Sequence, residues 1–237
     1  MRGRVPLTTP PRFAGDSLVS WHNAEFLDDP DFDVAARLAA ARGSWDPKYD
    51  VRWRIHVVLW AAERAATMPG DFVECGVNRG GFARAIVERV DLGALHKRFF
   101  LMDTFQGIVE EYLTPDERER GFSRELFGGF TECYDEVAEA FRPFPNVELV
   151  RGPIPDTLPL VSPEHVAFLS IDMNVVMPEI AAAEYFWPRL VSGAVMLLDD
   201  YGHDNHVAQK HAFDAFARER GVQVLMLPTG QGIVIKP

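Results

Sequence analysis

The sequence has little cysteine, no long apolar segment and fewer basic than acidic side chains. Its two cysteines, Cys75 and Cys133, lie far apart, which excludes a disulfide framework and a paired-cysteine metal site. The longest apolar run, Val57 to Ala62, has six residues and is too short to cross a membrane. No apolar segment follows the charged N-terminus as it would in a signal peptide. We therefore expect a cytoplasmic protein that does not bind a membrane.

Acidic side chains outnumber basic ones across the chain, 35 against 24, for a net charge of −11. The excess is concentrated in residues 108–140, where ten acidic side chains accompany three arginines for a local net charge of −7. Nucleic-acid phosphates are bound by clustered lysine and arginine, so this distribution argues against a nucleic-acid partner. The length of 237 residues and the 47% apolar content fit one α/β domain.

Short apolar runs alternate with helical patterns from Asp71 onward. Seven strands are predicted, over 72–75, 98–102, 147–150, 165–171, 194–198, 222–227 and 232–235. Strands that alternate with helices predict a mostly parallel sheet with helices on both faces, and the four-residue turn before the last strand predicts an antiparallel C-terminal hairpin. The expected fold class is therefore α/β, a Rossmann-like seven-stranded sheet.

The remaining segments predict how this sheet is extended. Residues 1–30 predict an irregular arm, followed by helices over 31–42 and 53–66. We accordingly predict an N-terminal arm and helical extension over 1–66 and a main domain over 67–237. Within that domain, residues 108–141 predict a helical, lid-like insertion. Its phenylalanines are either the core of the lid or the wall of a substrate pocket: Phe122, Phe127 and Phe130.

The turn after the first predicted strand, residues 74–81, reads ECGVNRGG. A dinucleotide-binding fingerprint requires a glycine where Asn78 stands, and a phosphate-binding P-loop requires a lysine that is absent here. The remaining pattern, E-x-G-x-x-x-G, is typical of class I methyltransferases that use S-adenosylmethionine (SAM). Glu74 would face the cationic methionine end of SAM, while Gly76 and Gly80 would leave room for it. The alternative is an ordinary strand-to-helix turn.

Acidic residues end three further predicted strands. Asp103 follows the second strand, where a carboxylate either binds ribose hydroxyls or caps a helix. Asp172 ends the fourth strand, and Asp199 and Asp200 end the fifth. Neighbouring strands lie about 4.8 Å apart, so these three carboxylates would repel one another unless a cation joined them. An all-oxygen set suits Mg²⁺, so we predict a metal site at Asp172, Asp199 and Asp200; the alternative is a hydrogen-bonded turn with a helix cap.

Four segments carry a resemblance to a known family: GDFVECGV at 70–77, RGG at 79–81, DTFQG at 103–107 and DDYG at 199–202. They resemble the macrocin O-methyltransferases of the TylF and MycF type, metal-dependent enzymes that methylate sugar hydroxyls in antibiotic biosynthesis. The resemblance implies SAM and Mg²⁺ as cofactors and a hydroxylated small molecule as substrate. The expected cofactor-binding residues are Glu74, Gly76, Val77, Gly80, Asp103, Thr104, Gly152, Ile154 and Asp172.

The segment after the fourth strand departs from that family. The family usually has a second aspartate and a tyrosine where this chain has Asn174 and Val176. Catechol-type methyltransferases have a lysine base at the position of Val175, which argues against a catechol mechanism. The candidate bases are therefore Asp172, His203 and His206, since an imidazole has a pKa suited to proton transfer at neutral pH.

The sequence thus predicts a SAM- and Mg²⁺-dependent O-methyltransferase that acts on a hydroxyl of a sugar or glycosylated natural product. Two alternatives stay open: an O-methyltransferase for a polyketide or phenolic hydroxyl, and a SAM-binding protein without catalysis. The oligomeric state also stays open, and a homo-oligomer is compatible with the sequence.

Overall fold

The fold is built on a seven-stranded sheet in the computed structural model, which describes residues 10–43, 45–46, 48–123 and 131–237. The strands are β1 Phe13–Gly15, β2 Leu18–Ser20, β3 Asp71–Cys75, β4 Phe99–Asp103, β5 Val147–Arg151, β6 Val166–Ile171, β7 Leu190–Leu198, β8 Leu225–Met226 and β9 Gly232–Ile235. The helices are α1 Pro30–Arg42, α2 Arg52–Ala66, α3 Gly81–Arg89, α4 Pro115–Glu119, α5 Tyr134–Phe141, α6 Val176–Phe186 and α7 Val207–Glu219.

The order of strands in the sheet is β5-β4-β3-β6-β7-β9-β8. The first five strands in that order are parallel, and β9 runs antiparallel to both β7 and β8. This confirms the predicted α/β fold with an antiparallel C-terminal pair. The strand order reverses between β3 and β6, and ligands of such sheets bind outside the carboxyl ends of the strands at this switch point.

Most side chains of the central strands are apolar and buried, because helices cover both faces of the sheet. Phe72 packs on the face covered by α1, α2 and α3, whereas its neighbour Val73 packs on the face covered by α6 and α7. Phe99 and Phe100 on β4 alternate in the same way. The predicted helical extension thus shares a hydrophobic core with the sheet. None of the described helices has the length and apolarity needed to span a membrane.

The N-terminal arm is more ordered than its sequence predicts. Strands β1 and β2 pair as an antiparallel hairpin, whose turn residues Asp16 and Ser17 both have left-handed φ angles, 47° and 62°. Phe13 is buried and packs edge-on against Trp53 of α2, with ring centroids 6.2 Å apart. The expectation of an irregular arm is therefore wrong for residues 13–20. Three-residue strands are too short to show a period in the sequence.

The predicted lid-like insertion is partly helical and divides between two packing environments. Helix α5 buries Val137 and Phe141 in the main core. The part around α4 forms a separate small cluster in which Ile108, Leu113 and Phe122 pack against Val175. Residues 124–130, with Phe127 and Phe130, lie outside the described residues.

Candidate active site

A cavity of about 350 Å³ lies at the carboxyl ends of the parallel strands, at the switch point. Most of the predicted cofactor-binding residues line it: Glu74, Gly76, Val77, Asp103, Thr104, Gly152, Ile154 and Asp172. The three acidic residues predicted as metal ligands line it as well. Gly80, His203 and His206 are not part of its wall. The sheet topology therefore brings most of the predicted site together.

The glycines of the turn after β3 are required mainly by the backbone. Gly76 has a φ of +90°, and a Cβ there would lie 1.8 Å from the backbone oxygen of Asp172. Gly80 has a φ of +81°, and a Cβ there would lie 2.6 Å from Cε2 of Phe141. Both positions thus require glycine because of positive φ and close packing. The cofactor-binding role of Gly80 stays a prediction.

Glu74 places a buried carboxylate on the cavity wall. Its side chain is only 2% exposed, and Oε2 has no hydrogen-bond partner among the described residues. Burial raises the pKa of Glu74 well above its ordinary value, and the charges of Asp103 and Asp199 add to this rise. A buried, unpaired carboxylate oxygen is costly, and a cationic ligand in the cavity would relieve that cost. This oxygen fits the cationic methionine end of SAM.

Asp103 joins the two loops that follow β3 and β4. Its Oδ2 accepts hydrogen bonds from the backbone amides of Val77 and Asn78, at 2.6 and 2.7 Å. Its Oδ1 accepts one from the amide of Phe105, at 2.5 Å. The carboxylate therefore joins backbone amides of two turns and caps none of the described helices, so the helix cap considered as the alternative is not formed. It also lines the cavity, so ribose binding stays a prediction.

Asp172, Asp199 and Asp200 end two strands that are neighbours in the sheet, as the sequence predicts. Burial raises the pKa of Asp172 well above its ordinary value, and the charges of Asp199 and Asp200 raise it further. The metal site expected at these three carboxylates stays a prediction. Among the described residues, no three acidic, histidine or cysteine side chains lie close enough together to hold a metal ion.

An arginine that the sequence analysis did not single out contacts this cluster of carboxylates. Arg54 of α2 donates from Nη1 to Oδ2 of Asp199 at 2.6 Å and from Nε to Oδ2 of Asp16 at 2.7 Å. The other oxygen of Asp199 accepts a hydrogen bond of 2.9 Å from Nε2 of Gln231. Both oxygens of Asp199 are thus already engaged, one of them by a cation. Burial alone would lower the pKa of Arg54, but Asp199 and Asp16 outweigh it and raise that pKa.

The two predicted catalytic histidines lie near charged groups of the site but do not line the cavity. Nη2 of Arg54 contacts Nε2 of His203 at 2.5 Å, and because arginine can only donate, this ring nitrogen accepts. Nε2 of His203 is therefore committed to Arg54. Nε2 of His206 lies 3.8 Å from Oδ2 of Asp200. Neither ring lines the cavity, so a direct catalytic role for either histidine stays a prediction without geometric support.

A chain of hydrogen bonds fixes the orientation of His206. Gln209 donates from Nε2 to Oε1 of Glu179 at 2.8 Å, so its amide oxygen faces Nδ1 of His206 and accepts from it. Nδ1 of His206 therefore donates to Gln209, and Nε2 faces Asp200. Burial, with the charge of Asp200, raises the pKa of Glu179 to about 8.

Asn174 lies in the turn that follows β6. Asn174 has a φ of +65°, a left-handed conformation that asparagine tolerates better than most residues. The backbone amides of Met173 and Asn174 both donate to Oε1 of Glu179, at 3.0 Å each. The loop after β6 is therefore fixed by a buried glutamate of α6.

Arg54, Asp16, Gln231 and Glu179 are the site residues that the sequence analysis missed. Arg54 had one detectable signal, since it falls on the buried face of α2 together with Val58. A charged side chain within an apolar helical stripe usually has a buried partner. The identity of that partner, 145 positions away, has no local sequence signal.

Two curated relatives have similar sequences. The 8-demethyl-8-(2,3-dimethoxy-alpha-L-rhamnosyl)-tetracenomycin-C 4'-O-methyltransferase of Streptomyces olivaceus is 29% identical over 145 residues, which cover 58% of this chain and 55% of the relative. The mycinamicin III 3''-O-methyltransferase of Micromonospora griseorubida is 29% identical over 147 residues, which cover 56% of each protein. The chain thus matches about half the length of each relative.

The O-methyltransferase NovP has a similar solved structure, with a TM-score of 0.74 and 20% sequence identity over 86% of this chain and 97% of NovP. This likeness shows the class I methyltransferase fold. The sequence model of the macrocin-O-methyltransferases (TylF) matches residues 54–229, which is more than half of the chain. The chain therefore belongs to the macrocin-O-methyltransferase (TylF) family.

Proposed function

We propose that this chain transfers the methyl group of SAM to a hydroxyl group of a sugar or a glycosylated natural product. The observation that carries the proposal is the cavity at the switch point, where the unpaired Glu74 oxygen and the Asp172 carboxylate border the same space. Family membership supports methyl transfer. One relative is named for O-methylation of a rhamnosyl-tetracenomycin and the other for O-methylation of mycinamicin III, which favours a glycosylated acceptor.

The residues around the cavity suggest how SAM would be held. Glu74 would face its amino group, Asp103 and Thr104 its ribose, and Gly152 and Ile154 its adenine. When bound, SAM supplies a methyl group on a positively charged sulfur, which keeps the electron pair of the broken carbon–sulfur bond. The chain must then hold the acceptor oxygen in line with that bond and remove its proton.

Asp172 is the best candidate for the proton acceptor. No hydrogen bond or ion pair engages its carboxylate within the described part of the chain, whereas Asp199 is held by Arg54 and Gln231. The hydroxyl proton would pass to Asp172 as the acceptor oxygen forms its bond to the methyl carbon. This route requires no metal ion, because the proton passes directly from the hydroxyl to the carboxylate.

The two alternatives make different predictions about the acceptor. A polyketide or phenolic O-methyltransferase would methylate an aglycone that carries no sugar. A SAM-binding protein without catalysis would bind SAM and release no product with any acceptor. The open carboxylate of Asp172 on the cavity wall favours catalysis over simple binding.

The decisive experiment measures transfer of a radiolabelled methyl group from SAM to pairs of glycosides and their matching aglycones. We expect product from a glycoside and none from its aglycone. The variant Asp172→Asn should bind SAM but transfer the methyl group roughly 10²–10⁴-fold more slowly. Methylation of the aglycones would favour the first alternative, and SAM binding without turnover on any acceptor would favour the second. If calorimetry detects no SAM binding, the proposal is wrong.

A further inference from the structure

We infer that Arg54 supplies the positive charge on the acceptor side of the cavity, in the place where the family resemblance implies a divalent metal. The inference rests on the proposed methyl transfer, because it concerns the acceptor oxygen of that reaction. Arg54 lines the cavity together with Asp199 and Asp200. We infer its role from its hydrogen bonds and from the N–H donors that these hydrogen bonds leave unused.

The first step concerns Asp199, the central carboxylate of the expected metal site. Its Oδ2 accepts from Nη1 of Arg54 and its Oδ1 from Nε2 of Gln231. Its side chain is only 4% exposed, so neither contact is a surface interaction that water easily replaces. A divalent ion on this carboxylate would lie next to the guanidinium and would be repelled by it. Asp199 is thus already paired with a cation, which disfavours a second cation on the same carboxylate.

The second step is that Arg54 is held firmly in this position. The hairpin of β1 and β2 places Asp16 against Nε of Arg54 at 2.7 Å, and the arginine side chain is 10% exposed. His203 accepts from Nη2 on the other side. Two separate segments, the N-terminal hairpin and the loop that follows β7, therefore converge on one guanidinium. A group fixed in this way can stabilise charge without reorganising.

The third step concerns the hydrogen-bonding capacity of Arg54. A guanidinium has five N–H donors, and the contacts with Asp16, Asp199 and His203 use three. The other two belong to the terminal nitrogens of a residue that lines the cavity. They can donate to the acceptor oxygen as its proton passes to Asp172. In this arrangement Arg54 stabilises the developing negative charge, which is the task a metal would otherwise perform.

Manganese binding tests the inference without any acceptor. Chelator-treated protein saturated with S-adenosylhomocysteine is titrated with Mn²⁺, and free Mn²⁺ is followed by electron paramagnetic resonance. We expect no stoichiometric binding to the wild type at millimolar Mn²⁺. Arg54→Met should raise Mn²⁺ affinity roughly tenfold or more, because it removes the neighbouring like charge and frees Asp199. Stoichiometric binding to the wild type that Asp199→Asn abolishes would overturn the inference.

Two variants control for the loss of charge and for folding. Arg52→Met removes an arginine of the same helix that pairs with Asp50 and is not part of the cavity wall, and it should leave Mn²⁺ binding unchanged. Arg54→Lys keeps the charge and should also bind no Mn²⁺. Calorimetric binding of S-adenosylhomocysteine identifies the variants that fold. A folded Arg54→Met protein that gains no Mn²⁺ affinity would count against the inference.

Methyl transfer provides the second readout. With a competent glycoside, wild-type turnover should persist in excess EDTA, and Arg54→Met should lower kcat by roughly 10²-fold while S-adenosylhomocysteine binding is retained. Loss of turnover in EDTA that Mg²⁺ restores would overturn the inference and leave the proposed function intact. Failure of the proposed function would be recognised separately, as absence of methyl transfer with or without a metal.

Discussion

Oε1 of Glu117 accepts a hydrogen bond of 2.8 Å from the backbone amide of Val176, which lies 59 positions further along the chain. Glu117 belongs to α4 of the insertion, and Val176 is the first residue of α6. The other oxygen of Glu117 accepts from the amide and the hydroxyl of Thr114, so one buried carboxylate caps two helices. This contact fixes the insertion over the loop that follows Asp172.

The first prediction concerns this contact. Glu117→Ala should lower the free energy of unfolding by about 2 kcal/mol, because it removes a capping box and a buried hydrogen bond. It should also raise the KM for the acceptor while SAM affinity is retained. Chemical denaturation and steady-state kinetics measure the two effects. Glu119→Ala, an exposed position of the same helix, should change neither. Equal effects of both substitutions would show that the Val176 contact is unimportant.

The second prediction concerns the buried carboxylate at the end of β3. Glu74→Gln should weaken SAM binding tenfold or more, or about 1.4 kcal/mol, because the cationic end of SAM loses its charged partner. Isothermal titration calorimetry measures this directly. Glu88→Gln, an exposed glutamate of α3, provides the matched control. Unchanged affinity in Glu74→Gln would mean that the unpaired oxygen does not face the cofactor.

The third prediction separates the candidate bases. Asp172→Asn should lower kcat by roughly 10²–10⁴-fold. His203→Gln should have a much smaller effect, because Nε2 of His203 already accepts from Arg54. His211→Ala, an exposed residue of α7, provides the control. A loss of kcat in His203→Gln as large as in Asp172→Asn would transfer the role of base to the histidine.

The fourth prediction concerns stability against pH. The ordinary pKa of Glu179 is 4.5, and burial raises it to about 8 in the folded protein. Between these two pH values the unfolded chain has lost the proton and the folded chain keeps it. The stabilisation that depends on this proton is therefore complete below pH 4.5 and is lost as the pH rises towards 8.

Relative to Glu179→Gln, the wild type should lose unfolding free energy on the order of 1 kcal/mol per pH unit across this window. The glutamine keeps an oxygen to accept from Met173 and Asn174. Denaturant titrations of both proteins at several pH values measure the difference, and Glu184→Gln, exposed on the same helix, serves as control. Parallel stability curves for the wild type and Glu179→Gln would contradict the raised pKa.

Local sequence patterns were sufficient for the architecture and for the location of the site. Apolar runs that alternate with helical segments indicate a sheet with both faces covered, and residues at the carboxyl ends of parallel strands must meet at one edge. That is why Glu74, Asp103 and Asp172 could be placed around one cavity before the fold was known. The turn after β3 also indicated the cofactor class, because Asn78 excluded a dinucleotide-binding fingerprint and the missing lysine excluded a P-loop.

The sequence by itself therefore determined the fold, the edge of the sheet that binds ligands and the acidic residues gathered there. The tertiary structure decided which of those acidic residues is paired with a cation. Arg54 reaches Asp199 only because α2 packs against the sheet beside β7, and Asp16 reaches Arg54 only because an eight-residue hairpin forms in an arm without a detectable period. Such contacts join residues 38 and 145 positions apart. They depend on how whole elements pack, and local residue patterns carry no information about that packing.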